Sequence, residues 1–331
     1  MQDFDCWSLP YPKSNKQWVK FLTDIESIKL ISSKYDEVKA IVAYNYPAIA
    51  LYKLRSYCRK NNIRIIADCT EWYSTRGSSV AFKIIKGLDS FLRMRIIQKR
   101  LDGLIVISKF LESYYKDHIN TIRIPPLVDL DEKKWESNNS KTRDTNLRMV
   151  YSGSPGKNKD KINYIIEALY ELDKYSNYVF NIVGITKEQY INYYPEHKTK
   201  LSALEERIVF LGRISHFDSL NALKNSDFSI FIREKSRLTM AGFPTKFVES
   251  ISCGIPVITT DTSDIGEYFS DEKNGFFLDA NSLGKMKEVF INLLDDDQAI
   301  AEVKDRKFNK KVFHYENYVD KVSIFVQSTL N

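Results

Sequence analysis

The chain has 331 residues, 43% of them hydrophobic, which suits two α/β domains with cores of ordinary size and leaves no long low-complexity tract. Its net charge of +6 is concentrated: Lys83–Arg100 holds six basic residues (Lys83, Lys86, Arg93, Arg95, Lys99, Arg100) against the single acid Asp89, unlike the broad basic face of a nucleic-acid binder. Cys6, Cys58, Cys69 and Cys253 form no CxxC and no metal-ligand spacing, so free thiols in a reducing compartment are expected.

The N-terminus MQDFDCWSLPYPK contains no apolar run of signal-peptide type. No segment approaches the roughly 18 consecutive apolar residues that span a bilayer. A cytoplasmic protein is the expectation. The residues before Ala40 include no glycine, whereas a full first Rossmann unit would open with a strand and a glycine-rich turn. The N-terminal domain therefore reads as shortened.

From Ala40 on, short apolar runs alternate with helical patterns. AIVAY (Ala40–Tyr44) reads as a buried strand, followed by a helix around Ala48–Asn61. RIIAD (Arg64–Asp68) is the next strand, then a helix through Val80–Arg100. GLIVIS (Gly103–Ser108) and TIRIPP (Thr121–Pro126) are further strands, with a helix opening at KFLESYYK between them. Continuous apolar strands between helices imply a parallel sheet covered on both faces.

Polar residues crowd Glu136–Asn146, a linker, and the pattern then restarts. RMVYSG (Arg148–Gly153) leads into a glycine turn, followed by a helix over Asn163–Leu172. YVFNIVG (Tyr178–Gly184), RIVFLG (Arg207–Gly212), DFSIFIR (Asp227–Arg233) and IPVITT (Ile255–Thr260) are strands with helices between them, and a short helical tail covers Tyr315–Thr329. The expected organisation is α/β: residues 1–145 as a shortened Rossmann-like domain, 146–310 as a second, and 311–331 as a tail. Ligands are expected at the carboxyl ends of the strands.

The strongest local signal is GFPTKFVESISCGIPVITTDTSD, Gly242 to Asp264. Pro244 suits the start of a helix, where its missing N–H costs nothing. The helix N-terminus offers unpaired amides and a positive dipole end to phosphate oxygens. Lys246 in that first turn opposes the dipole and so needs an anionic partner. Glu249 follows on or near the same face and could accept two hydrogen bonds from a ribose diol. Gly254 ends the helix before the next strand. From spacing alone, an ordinary helix-to-strand connection with an exposed Lys–Glu pair fits equally well.

This stretch resembles the donor-binding signature of retaining glycosyltransferases of the two-Rossmann GT-B fold, particularly bacterial polysaccharide and capsule enzymes. The resemblance runs from about Ala40 to the end and implies two Rossmann-like domains facing a cleft. The family commonly has two glutamates eight positions apart; Glu249 matches the second, which grips the ribose. The first falls at Ala241, a departure that leaves the sugar contact to the backbone of Gly242, Phe243, Pro244 and Thr245, or to another residue.

YSGSPGKNKDK (Tyr151–Lys161) resembles the glycine turn after the first donor-domain strand. Gly153 matches the glycine, Ser154 stands at the arginine position, and Lys157, Lys159 and Lys161 compete for the diphosphate lysine, with Lys159 preferred. Arg233, at a strand end, could replace the charge absent at Ser154, since its fork suits phosphate; a salt bridge to Glu234 or a neighbour is the alternative. Arg213 is a second choice at another strand end, and His216 reads as a loop residue.

In the first domain, ADCTEWY (Ala67–Tyr73) lies at the carboxyl end of a strand, with Asp68 or Glu71 as the base if a base is required. Trp72 and Tyr73 either stack on a sugar ring or pack beneath the loop. Lys83–Arg100 interleaves cations with apolar residues, as in a helix lying on an anionic membrane; a core-packed helix with a solvated basic face is the other reading.

The reaction implied is metal-independent, retaining transfer from a nucleoside diphosphate sugar to a hydroxyl of a glycan or lipid-linked acceptor, with no cofactor and no nucleic-acid partner. No DxD suggests a bound divalent metal. Lys246, Arg233 and Lys159 would neutralise the leaving diphosphate. The rival readings are a non-catalytic sugar-nucleotide-binding partner subunit and a GT-B-fold epimerase, which would need acid–base carboxylates in the donor site.

Overall fold

The computed structural model describes residues 4–73, 80–136, 146–156, 159–172, 174–269, 274–295 and 309–331. It contains two parallel sheets, each within its own compact unit.

The first sheet has the order β1-β2-β3-β4, with β1 at Ala40–Tyr44, β2 at Arg64–Cys69, β3 at Gly103–Val106 and β4 at Thr121–Arg123. Every pair is parallel. Ile65, Ile66, Ala67, Leu104 and Val106 are almost wholly buried, as unbroken apolar strands between covering helices must be. Helix Ala48–Lys60 turns Ala48, Leu51, Leu54 and Cys58 inward at helical spacing. Before β1 come only helices Asn15–Thr23 and Glu26–Ser32 among the described residues, so the sheet opens at β1.

The segment expected as one helix over Val80–Arg100 is broken. An α-helix over Val80–Leu92 passes into a π-turn at Arg93–Ile97 and a 3₁₀ turn at Gln98–Arg100. The Tyr115 hydroxyl donates to the Met94 carbonyl at 2.9 Å, inside the widened turn, and Arg93, Met94, Ile97 and Gln98 are buried there. Arg93 is only 1% exposed, so the basic residues do not form one solvated face.

The second sheet has the order β10-β9-β8-β5-β6-β7 and is parallel throughout. Its strands are β5 (Leu147–Ser152), β6 (Tyr178–Val183), β7 (Ile208–Gly212), β8 (Phe228–Phe231), β9 (Val257–Thr259) and β10 (Gly275–Phe277). Strand β10 carries no apolar run long enough to read from sequence. Its Gly275 has φ +137°, and a Cβ there would lie 1.9 Å from the Val257 carbonyl oxygen. The strand pairs only because that residue has no side chain. The core of this unit gathers Tyr151, Phe180, Phe228, Phe231, Phe247, Phe290 and Phe313 with the surrounding aliphatic residues.

Chain order reverses at β5, which lies between β6 and β8. That reversal is where an open α/β sheet leaves room for a ligand beyond its carboxyl ends.

The units are not continuous in sequence. The first comprises Met1–Val106, Leu111–Arg123 and Lys321–Asn331; the second comprises Ile107–Phe110 and Ile124–Asp320. The change of unit after β4 thus comes at Arg123, earlier than the polar linker. The final helix, Val319–Leu330, is no independent tail, because it buries Phe325 and Thr329 against the start of β3. A Cβ at Gly103 would meet the Phe325 ring at 2.9 Å and Thr329 at 3.1 Å, so glycine lets the helix lie that close. Val128 forms an isolated parallel bridge with His314 within the second unit.

Candidate active site

A pocket of about 480 Å³ lies in the second unit at the carboxyl ends of its strands. It is lined by Gly153, Ser154, Lys159 and Asp160 from the turn after β5, Arg213 after β7, Arg233 after β8, and Thr245, Lys246 and Glu249 from helix Thr245–Cys253. Residues far apart in sequence meet there because each terminates a parallel strand or begins the helix that follows.

Helix Thr245–Cys253 starts without a side-chain cap, its N-cap being Pro244 with φ −75°. Its first amides are therefore open to an anion. Gly254 ends it in the left-handed region at φ +73°. Phe243 does not face the pocket. It packs edge-on against Phe247, Tyr268 and Phe313, because a buried aromatic ring stabilises the core far more than it could serve a phosphate. Gly242 and Pro244 are likewise absent from the lining, and of the turn only Thr245 reaches it.

Lys246 is buried rather than exposed, at 8%. Its Nζ donates to Asp160 Oδ2 at 2.5 Å and to the Tyr151 hydroxyl at 2.9 Å. Arg233 is also buried, and its Nε donates to Asp160 Oδ1 at 2.6 Å. Tyr151 donates its hydroxyl proton to Asp160 Oδ2 at 2.7 Å. One carboxylate, 2% exposed, thus accepts from three donors. The anionic partner that Lys246 needs is Asp160, and the ion pair of Arg233 is with Asp160 rather than Glu234.

Burial alone would push Asp160 upward; the charges of Lys246 and Arg233 overcome it and hold the carboxyl well below the usual carboxylate range. Burial pulls the Lys246 ammonium down to about 8, against the attraction of Asp160 and with added repulsion from Arg233 and Lys159. Tyr151 is pushed far up, first by burial and then by Asp160.

Gly153 has φ +134°, and a Cβ there would lie 3.3 Å from Lys246 Nζ. A Cβ at Gly184 would strike the Gly153 carbonyl oxygen at 2.1 Å. The turn is therefore glycine on both sides, letting backbone approach where the ammonium sits.

Glu249 lies one helical turn beyond Lys246, half-buried, and its Oε1 is 3.3 Å from His216 Nε2. His216 is the first residue of helix His216–Lys224, capped by Ser215, and not a loop residue. Lys159 is exposed at the rim. Lys161 turns elsewhere, pairing with Glu234 at 3.4 Å, and Lys157 lies outside the described residues.

In the first unit, burial pushes Asp68 up to about 6, while Glu71 is half-buried. Trp72 is buried and meets Tyr114 edge-on at 5.1 Å, packing beneath its loop. The Tyr73 ring carries Lys86 at 3.7 Å and Arg93 at 4.8 Å, so both aromatic residues are engaged within the protein. Among the described residues, one trio could hold a metal ion: Asp131, His314 and Glu316. There the His314 Nδ1 accepts from the Leu130 amide, so in the neutral ring Nε2 carries the proton and has no lone pair to offer. The trio does not line the pocket.

Two parallel Rossmann-like sheets, with a polar, cation-rich pocket at the strand ends of the second, are the architecture of the GT-B fold. Glycosyl transferases group 1 matches residues 133–311, more than half of the chain, and the chain belongs to that family. It is similar in structure to sucrose-phosphate synthase (tll1590) from Thermosynechococcus elongatus: 14% identity, TM-score 0.71, covering 98% of this chain and 81% of that one. Anabaena Alr3699/HepE in complex with UDP and glucose matches with TM-score 0.68 and 14% identity, covering 92% of this chain and 81% of that one. A glycosyltransferase from Rickettsia africae ESF-5 matches with TM-score 0.62 and 16% identity, covering 97% and 84%. At identities this low the likeness shows the fold alone. No curated protein matches the chain.

Proposed function

We propose that this glycosyltransferase moves a sugar from a nucleoside diphosphate sugar to a hydroxyl of a glycan or lipid-linked acceptor, with retention and without a metal. The observation that carries this reading is the convergence of Lys246, Arg233, Lys159 and an uncapped helix N-terminus on one pocket that also holds Glu249. The cations and the helix end take the diphosphate and stabilise it as the glycosidic bond breaks. Glu249 takes the ribose diol. The leaving phosphate accepts the acceptor's proton; if a side chain does so instead, Asp68 is the better suited, since burial brings it to about 6.

An epimerase would need a carboxyl in the donor site that exchanges protons. Asp160 is held ionised by three donors and is poorly suited to that work, which favours transfer. The complex of HepE with UDP-glucose makes UDP-sugars the first donors to try. Incubation with a panel of labelled nucleotide sugars and native lipid extract tests the reading. Transfer of label supports it; binding without transfer or hydrolysis favours a partner subunit; absence of binding overturns the donor site.

The acceptor side would lie at an anionic membrane surface. Supporting this, Val80, Phe82, Ile84, Ile85, Leu88 and Phe91 of helix Val80–Leu92 are all exposed beside Lys83, a composition that buries into a headgroup layer. No helix among the described residues is long and apolar enough to cross a membrane. Flotation with vesicles containing phosphatidylglycerol, but not with neutral vesicles, is the expected result; equal behaviour with both would refute it.

A further inference from the structure

An acid in a turn meant for phosphate is a contradiction. Asp160 follows Lys159 directly, and a carboxylate facing a diphosphate would repel it. The structure removes the conflict by turning Asp160 to the pocket floor, where it is 2% exposed and takes Lys246, Arg233 and Tyr151 as donors.

We propose that Asp160 is a positioning residue of the donor pocket, holding the Lys246 ammonium charged and in place so that a nucleoside diphosphate meets a preformed cation. The inference rests on the donor-site reading above. The groups facing Lys246 are Asp160 and Lys159 from the turn, Tyr151 from β5 and Arg233 after β8, with Glu249 one turn along its own helix. The Tyr151 ring lies 4.0 Å and the Phe231 ring 5.6 Å from Nζ. Take Asp160 away, and the charges still acting on Lys246 are those of Arg233 and Lys159, both repulsive. Glu249 is turned to His216. Desolvation has already brought Lys246 to about 8, so loss of the one strong attraction discharges it near neutral pH.

A lysine loses its proton as pH rises, so diphosphate affinity should follow the protonated fraction of Lys246. The dissociation constants of UDP, GDP and ADP are to be measured by calorimetry from pH 6 to 9 on the full chain and on Asp160→Asn. For whichever nucleotide binds, wild-type affinity should fall above about pH 8, and in Asp160→Asn that fall should begin at least about one pH unit lower. Affinity at pH 7.5 then drops about threefold or more, while affinity at pH 6 stays comparable. An unchanged midpoint overturns the proposal, whereas a merely structural acid would lower affinity equally at every pH.

In parallel, the Lys246 Cε resonance is titrated by NMR in both proteins; the midpoint should move down with the substitution, and a fixed midpoint refutes the hold. Should Asp160→Asn not fold, Asp160→Glu keeps the charge but displaces the ammonium by one methylene. It should weaken nucleotide binding at pH 7 with the midpoint retained, and full wild-type affinity would overturn the positioning role. If no nucleotide binds the wild type at any pH, the donor-site reading falls, and the NMR titration alone decides whether Asp160 governs Lys246.

Discussion

The Nζ of Lys246 lies 2.5 Å from Oδ2 of Asp160, across 86 positions of sequence, and a second cation, Arg233, occupies the other carboxylate oxygen. Removing the shared anion leaves two buried cations together, whereas removing one cation leaves the anion still paired. Asp160→Ala should therefore destabilise the protein by about 3–5 kcal/mol, and Lys246→Met by clearly less. Urea unfolding of both variants checks the order; equal losses would contradict the shared-anion arrangement.

Glu249→Ala is expected to weaken nucleotide binding by about 10- to 100-fold, the loss of hydrogen bonds to a charged acceptor worth about 1.5–3 kcal/mol. Its side chain is half-buried, with His216 Nε2 3.3 Å from its Oε1, so the melting temperature should hardly move. Calorimetry against nucleoside diphosphates, beside a thermal melt, separates the two effects.

Asp68 gives a pH dependence of opposite sense to most carboxylates. Its folded value, about 6, is above its ordinary 3.8, so between those values the folded state binds the extra proton. Stability from this residue is present below about pH 4 and lost as pH rises through 6. Asp68→Asn should stabilise the protein at pH 7 by about 1 kcal/mol, allowing for its partial exposure to solvent. The gain should vanish at pH 4, which melts at the two pH values will show.

Gly184→Ala places a methyl 2.1 Å from the Gly153 carbonyl oxygen at a residue with φ +102°. Both the clash and the backbone conformation oppose it, so a loss of about 2 kcal/mol or more is expected. Because the displaced turn carries Gly153 and Lys159, nucleotide affinity should fall with it. Retained affinity in a folded variant would mean that the turn does not seat phosphate.

Transfer activity should survive EDTA, since cations of the protein rather than a divalent ion neutralise the diphosphate in the proposed scheme. Loss of activity restored by magnesium or manganese would refute this.

The alternation of strands and helices, and Lys246, Glu249, Gly153 and Arg233 as pocket-lining positions, could be read from sequence because each depends on local spacing or on the end of an apolar run. The Asp160 role could not, since its meaning comes from β5, β8 and a distant helix meeting around one carboxylate. For Phe243 the motif implies a backbone role, and only the fold shows that its ring belongs to the core of the second unit. Strand β10 hid for the opposite reason: its pairing depends on a glycine's missing side chain, not on an apolar run. A continuous Val80–Arg100 helix is the natural reading of its periodicity, and the buried Tyr115 hydroxyl, bonded to the Met94 carbonyl and Gln98 where the helix breaks, is distant in sequence.

The last helix, Val319–Leu330, packs against β3 of the first unit although more than 200 residues separate them in the chain. The packing on β3 is therefore finished only when Lys321–Asn331 has been made. During synthesis it must wait, with the space over Gly103 unfilled, while the whole second unit emerges. A deletion or bulky fusion after Asp320 is thus an alteration of the first unit, and no single cut in the chain yields both units intact.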